Sequence, residues 1–218
     1  MMLSFTEENY LKALQKIVFY SGIEKVGTNE LATALLVTPA TVSNMLKKLK
    51  EKELVDYERY GKITLTKTGR KKALDIIRKH RLWETFLYEK LEFSWDEVHE
   101  VAEQLEHIQS EKLVDKLDKL LEYPDFDPHG DPIPNKKGEV KVRVNKTLAD
   151  VAVGSSCKIV AVKDDSSSFL KYVAKVGLEL NSEIVVVSKQ EYDAITVIEV
   201  NGTESSVSQL FSENIFVV

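Results

Sequence analysis

Four of the chain's five prolines fall within residues 124–134, in the run PDFDPHGDPIP. No helix survives such a segment, because each proline lacks an amide donor and clashes with the preceding turn. The 218 residues are thereby divided into two parts of different texture. Before the break, apolar residues recur at helical spacing; beyond Lys146 they come in short β-branched runs. The expected class is α+β, with the helices in the first two-thirds and a small, mostly β module over residues 146–218. No apolar run approaches the roughly 20 residues that a spanning helix needs, and the first residues lack a signal-peptide pattern. The expectation is a cytoplasmic chain with no membrane partner. The single cysteine, Cys157, excludes an intramolecular disulfide framework and any zinc site built on several thiolates.

The helical part opens with a helix over 6–20, capped by Thr6, and a short helix from about Asn29 to Leu35. After a break at Val37-Thr38, Thr38 and Pro39 suit the cap and first turn of a third helix. That helix turns Val42, Met45, Leu46 and Leu49 to one side. VDYERYGKITL, residues 55–65, reads as a hairpin around Tyr60-Gly61-Lys62. Three helices followed by a hairpin are the layout of a winged helix-turn-helix. Residues 1–80 hold 15 Lys+Arg against 9 Asp+Glu, while the remainder holds 15 against 26, so a basic end sits on an acidic chain. Such an end suits a polyanion. The third helix offers Thr38, Pro39, Ala40, Thr41, Ser43 and Asn44 for close approach to base edges, with asparagine able to pair bidentately with adenine. Lys47, Lys48, Lys50 and Lys52 are expected toward phosphates, with Arg59 and Lys62 at the wing tip. A three-helix scaffold for protein contacts is the plainer alternative; the basic balance favours DNA.

A second constellation lies between residues 80 and 129, which contain all four histidines. His80 and Glu84 stand one helical turn apart, in a stripe with Ala73, Ile77 and Leu87. A Ser94-Trp95-Asp96-Glu97 capping box opens a further helix, on which His99, Glu103, Glu106 and His107 share one sector of about 100°. A carboxylate in an apolar stripe must be paired, neutralised or bound to a metal. Imidazole and carboxylate without thiolate suit Mn²⁺, Fe²⁺, Co²⁺, Ni²⁺ or Zn²⁺. The alternatives are a solvated acidic face with incidental histidines, and a di-iron bundle. The bundle expects Glu-x-x-His on two helices, where this chain has Glu103-x-x-Glu106 with His107 adjacent.

The segments IRKHRLWETFL, VHEVAEQLEHIQSEKLVDKLDKLL and DPHGDPIP, in this order, resemble the DtxR/MntR family of metal-dependent transcriptional repressors, over nearly the whole chain. The resemblance implies a winged helix-turn-helix over 1–72, a helical metal-binding and dimerisation domain over 73–145, and an SH3-like (FeoA-like) barrel over 146–218. It implies a regulatory metal site at Glu103, Glu106 and His107, with Asn9 from the first helix. A neighbouring site would use His80, Glu84 and His99, with Asp165 and Ser168 added by the barrel and Asp127 and His129 approaching from the proline-rich segment. Glutamate at 103, where iron-type members often have cysteine, points to Mn²⁺ ahead of Fe²⁺. The chain is thus expected to be a homodimeric, metal-activated repressor that reads a palindromic operator and controls metal-uptake genes. No Ser-His-Asp, Cys-His or phosphate-loop pattern suggests an enzyme. A metal-binding enzyme or storage bundle, and a metal-independent winged-helix regulator, are the competing readings.

Overall fold

A computed structural model describes residues 3–57, 61–141 and 146–218. In chain order the elements are α1 (Phe5–Ser21), α2 (Thr28–Ala34), α3 (Pro39–Glu51), β1 (Val55–Tyr57), β2 (Ile63–Leu65), α4 (Lys67–Leu91), α5 (Val98–Leu105) and α6 (Glu111–Leu120). After a 3₁₀ turn at Leu148–Asp150 come β3 (Ser156–Val162), α7 (Ser167–Lys175), β4 (Glu183–Lys189), β5 (Thr196–Val200), β6 (Thr203–Val207), α8 (Gln209–Glu213) and β7 (Ile215–Val217). Two compact units result: residues 1–80 with 105–110 and 134–139, and residues 81–104 with 111–133 and 140–218. Among the described residues, no helix is long and apolar enough to cross a membrane.

The first unit is built on α1–α3 and the hairpin. Tyr10, Leu11 and Leu14 of α1 pack with Leu31, Val42, Leu46, Leu49, Val55 and Ile63 in one core. Val26 bonds through both backbone groups to Ile63 and widens the β1–β2 hairpin by one bridge. Ser4, not Thr6, caps α1: its hydroxyl accepts from the Glu7 amide while the Glu7 carboxylate accepts from the Ser4 amide. A reciprocal box satisfies two orphan donors where Thr6 could satisfy one. At the start of α4, Thr66 accepts from Gly69, and a Cβ on Gly69 would lie 1.9 Å from the Leu54 carbonyl oxygen. Only glycine lets α4 begin this close to the hairpin.

The second unit holds an antiparallel sheet in the order β6-β5-β4-β3-β7 around Ile159, Ile184, Ile198, Val173 and Phe211. Asn201 and Gly202, both with positive φ, join β5 to β6, the two-residue turn whose twist suits a hairpin. The α+β class and the β-rich module are as expected from the sequence. Strand β6 and helix α8 are additions.

Candidate metal centre and DNA-facing helix

The helix expected to carry four ligands on one sector ends sooner. α5 stops at Leu105, and Glu106 and His107 leave it in a turn closed by the Ile108 amide on the Leu105 carbonyl at 3.2 Å. The four residues therefore form two pairs. His99 and Glu103 stay on α5 in the second unit, while Glu106 and His107 belong to the first. The Ser94 box forms in part: the Ser94 amide and hydroxyl bond to Glu97 at 3.0 and 2.6 Å, but regular helix starts only at Val98.

In the first unit the Glu106 carboxylate is fully buried. Lys12 Nζ lies 2.7 and 2.8 Å from its two oxygens, and His80 Nδ1 lies 2.6 Å from Oε2. Burial opposes the charge on Glu106, but His80 and Lys12 outweigh it and hold the carboxyl below its ordinary range. His107 Nδ1 sits 2.5 Å from Glu8 Oε2, whose other oxygen accepts from Gln109 at 2.8 Å. Phe5 stacks on the His107 ring at 4.3 Å. With Nδ1 engaged by Glu8, the lone pair of His107 falls to Nε2, 3.9 Å from Glu106 Oε1. Asn9, half-buried on α1, has an amide oxygen shielded from solvent with no hydrogen-bond partner among the described residues. A carboxylate, an oriented imidazole and, on the same helix as Glu8 and Lys12, an orphaned buried amide oxygen are donor types that fit a divalent cation. Sequence reasoning missed Glu8 and Lys12. Their signal was their position: both lie within one turn of Asn9.

In the second unit Glu84, Asp127 and His129 are buried, with ligand atoms within 4.8 Å of one another. His99 Nδ1 reaches Glu84 at 3.1 Å and Asp165 at 4.0 Å, and its Nε2 lies 3.6 Å from Glu103. Ser168 is exposed, with its hydroxyl 3.3 Å from that of Ser166. His129 Nε2 donates to the Trp95 carbonyl at 3.1 Å, and Nδ1 lies 3.8 Å from Glu84. Arg81 binds Asp131 at 2.9 Å and lies 3.5 Å from Asp127.

Burial disfavours the His129 imidazolium, but the hydrogen bond and charge of Glu84, with Asp127 and the Trp95 carbonyl, raise it to about 9. Burial, then the charges of Glu84 and Asp131, push Asp127 up to about 7. The sign of the pH effect follows. His129 contributes stability that is full below 6.5, its ordinary value, and lost as pH rises through about 9. Within this cluster Asp127 is half ionised at about pH 7 and largely ionised one unit higher, so the later step, centred near 9, belongs to His129. In chelator, the parent should lose about 1–2 kcal/mol between pH ~7.5 and ~9.5 that His129→Gln does not lose. Parallel stability profiles for the two proteins would show that His129 is neutral throughout.

The DNA-facing prediction falls on α3. Thr38 caps it by accepting from the Thr41 amide at 3.2 Å, and the two hydroxyls meet at 2.9 Å. Ser43 donates to the Pro39 carbonyl. Thr38, Pro39, Ala40, Thr41, Asn44, Lys47 and Lys48 are exposed, Ser43 is half-buried, and Lys62 is exposed on the hairpin. Two lysines expected toward phosphates are engaged elsewhere: Lys50 donates to the Tyr57 carbonyl at 2.8 Å, and Lys52 pairs with Glu7 at 2.6 Å. Each ties α3 to its own unit. Arg59 lies outside the described residues.

Residues 2–63 match the N-terminal DNA binding domain of the iron dependent repressors, residues 66–135 their metal binding and dimerisation domain, and residues 146–218 the FeoA domain. HTH-type transcriptional regulator MntR of Geobacillus kaustophilus is 30% identical over 116 residues, which are 53% of this chain and 80% of its own. Iron-dependent repressor IdeR of Mycobacterium leprae is 29% identical over 189 residues, 85% of this chain and 71% of its own. The solved structure of a manganese-dependent transcriptional repressor in complex with manganese superposes with a TM-score of 0.84 at 34% identity, covering 97% of this chain and 99% of that one. The chain spans only 16% and 17% of the length of two other relatives, probable metal transport system membrane proteins of Chlamydia trachomatis and Chlamydia pneumoniae, at 41% and 48% identity. Together the three matches run from residue 2 to residue 218 and describe a DNA-binding domain, a metal binding and dimerisation domain and a FeoA domain. The chain is a member of the DtxR/MntR family of metal-dependent transcriptional repressors.

Proposed function

We propose that this protein is a homodimeric repressor, activated by Mn²⁺ in preference to Fe²⁺, that acts in the cytoplasm on palindromic operators of metal-uptake genes. One observation carries the reading. α1 contributes Leu11 and Leu14 to the winged-helix core and, from its other face, sends Glu8 and Lys12 to His107 and Glu106. Whatever is held at that cluster acts on the DNA-binding fold through a helix that belongs to both.

Glu106, His107 Nε2 and the Asn9 amide oxygen are the proposed regulatory ligands, with Glu103 added on the strength of the resemblance. Glu84, His99, Asp127 and His129 are proposed as the second centre, together with Asp165; His80 and Ser168 are added on the strength of the resemblance. When bound, a divalent cation supplies a fixed charge that holds α1 against the Glu106–His107 turn. Glu8 keeps the His107 ring in its ligating tautomer, and Phe5 limits its rotation. Gln109 in turn holds Glu8. A ligand shifts the winged helix toward its DNA-competent state only as far as it binds that state more tightly. Oxygen-rich ligands without thiolate favour Mn²⁺ and Fe²⁺ over softer ions, and the manganese-bound structural relative supports the choice of Mn²⁺.

The test is an anisotropy titration on DNA upstream of its own gene and of a metal-transporter gene, with Mn²⁺, Fe²⁺, Zn²⁺ and chelator. Binding equal in Mn²⁺ and chelator overturns the proposal in favour of a metal-independent regulator. The same assay examines α3. Asn44→Ala should alter sequence preference by about 1–3 kcal/mol if it pairs bidentately with adenine. Lys48→Ala should weaken binding to all sequences and lower the salt slope by about one. Parent-like binding by both variants at several salt concentrations would remove α3 from the DNA interface.

A further inference from the structure

We propose that Lys12 is a built-in cation that holds the place of the metal on Glu106 and sets the concentration at which the protein responds. The inference rests on the proposed regulatory site and adds a residue that competes for it.

The geometry is specific. Lys12 is 6% exposed, and its ammonium contacts both oxygens of Glu106, which is 0% exposed. His80 takes Oε2 as well, at 2.6 Å. A buried carboxylate without a counter-charge is costly, and Lys12 removes that cost in the absence of metal. The same contact obstructs loading. Neither Glu106 oxygen can be given to a divalent ion while the ammonium bridges them, because two cations within a few ångströms in a buried site repel strongly. Lys12 is suited to retreat: its charge rides on a flexible four-carbon stem.

The exchange also defines two states of α1. Lys12 and Asn9 stand three residues apart, so they lie on neighbouring turns of one helix face. Without metal, α1 is tied to Glu106 through Lys12. With metal, the tie passes to Asn9, whose amide oxygen has no hydrogen-bond partner among the described residues. The anchor moves by one turn along the helix that supports the winged-helix core. Metal affinity is then the difference between two occupied states, not a measure of the ligands alone.

Calorimetric Mn²⁺ titration of the full chain tests this, using the parent, Lys12→Met, Lys12→Gln and Lys12→Arg, with melting curves in chelator and in Mn²⁺. Neutral side chains remove the competitor and take the ammonium charge from Glu106, which keeps its contact with His80. Lys12→Met and Lys12→Gln should lower the Mn²⁺ dissociation constant at least tenfold and melt earlier than the parent in chelator, with the deficit closing in Mn²⁺. Lys12→Arg keeps the charge and should stay within about threefold of the parent. If Lys12→Met folds poorly without metal, Lys12→Gln retains a polar contact to Glu106 and carries the comparison. A dissociation constant that is unchanged or weaker in both neutral variants, with an equal melting deficit in chelator and Mn²⁺, overturns the inference: Lys12 would stay on Glu106 in both states. That result is distinct from failure of the proposed function, in which the parent itself binds no Mn²⁺.

Discussion

Replacing His107 with alanine should abolish metal-dependent operator binding while the fold persists. His107, beside Glu106, offers an imidazole whose other nitrogen is already fixed by a carboxylate, through the 2.5 Å contact to Glu8. Losing a residue that merely supports a ligand costs about 10–100-fold in metal affinity, and losing the ligand should cost at least about 100-fold. The structural cost is smaller. His107 is 9% exposed and stacks on an exposed Phe5, so removing the ring uncovers little core. Glu8 keeps its bond from Gln109, and the net loss should be about 1–2 kcal/mol. Asp165→Ala should do less, because Asp165 lies in the other unit, 4.0 Å from His99. The measurement is operator binding across a Mn²⁺ series, with a melting curve to confirm the fold. A His107→Ala midpoint equal to that of the parent would remove the regulatory site from this cluster.

The residues that made the two clusters legible share one property: they are polar or charged at positions where helical spacing turns them toward the interior. His80, Glu84 and Glu106 are 2%, 2% and 0% exposed, and a helical wheel flags such residues from their spacing alone. What a wheel cannot show is where the helix ends. It carries regular helix through His107, whereas the chain leaves the helix at Leu105 because Glu106 and His107 find their partners on α1. Lys12 and Glu8 stayed invisible for a different reason. A lysine or glutamate on a helix is normally solvated, and only the tertiary pairing makes these two buried. The same logic explains β6: Thr203–Val207 is TESSV, four of its five residues unburied, so it lacks the apolar alternation that marks a strand. It is a strand because the Asn201-Gly202 turn returns it to β5 in register. Thr38-Pro39, by contrast, fixed the start of α3 from local chemistry alone, since cap and first turn depend on nothing distant.

The proline-rich segment that divides the chain also yields the largest stability effect. Gly130 has φ +79°, in the left-handed region, and a Cβ placed on it would lie 2.1 Å from the Val160 carbonyl oxygen and 2.6 Å from Ala161 Cα. Around it the segment closes on itself: Asp127 Oδ1 accepts from the amides of His129 and Asp131 at 2.8 and 2.9 Å. The His129 carbonyl accepts from the Val162 amide at 2.9 Å, which docks the turn on β3. Gly130→Ala therefore meets two costs. Left-handed backbone costs an alanine roughly 1–2 kcal/mol, and forcing a methyl into backbone with nowhere to move costs roughly 1–3 more. Gly154 supplies the control: its φ is also +79°, but nothing lies within 4 Å of an added Cβ, so only the backbone strain applies. Gly130→Ala should thus unfold at a clearly lower denaturant concentration than Gly154→Ala, the gap between them measuring the contact with β3. Because the turn carries Asp127 and His129, the same change should also weaken metal binding at the proposed second centre, which Gly154→Ala should leave intact. Equal losses in the two variants would mean that β3 yields to the methyl and that the docking of the turn is not what fixes these two side chains.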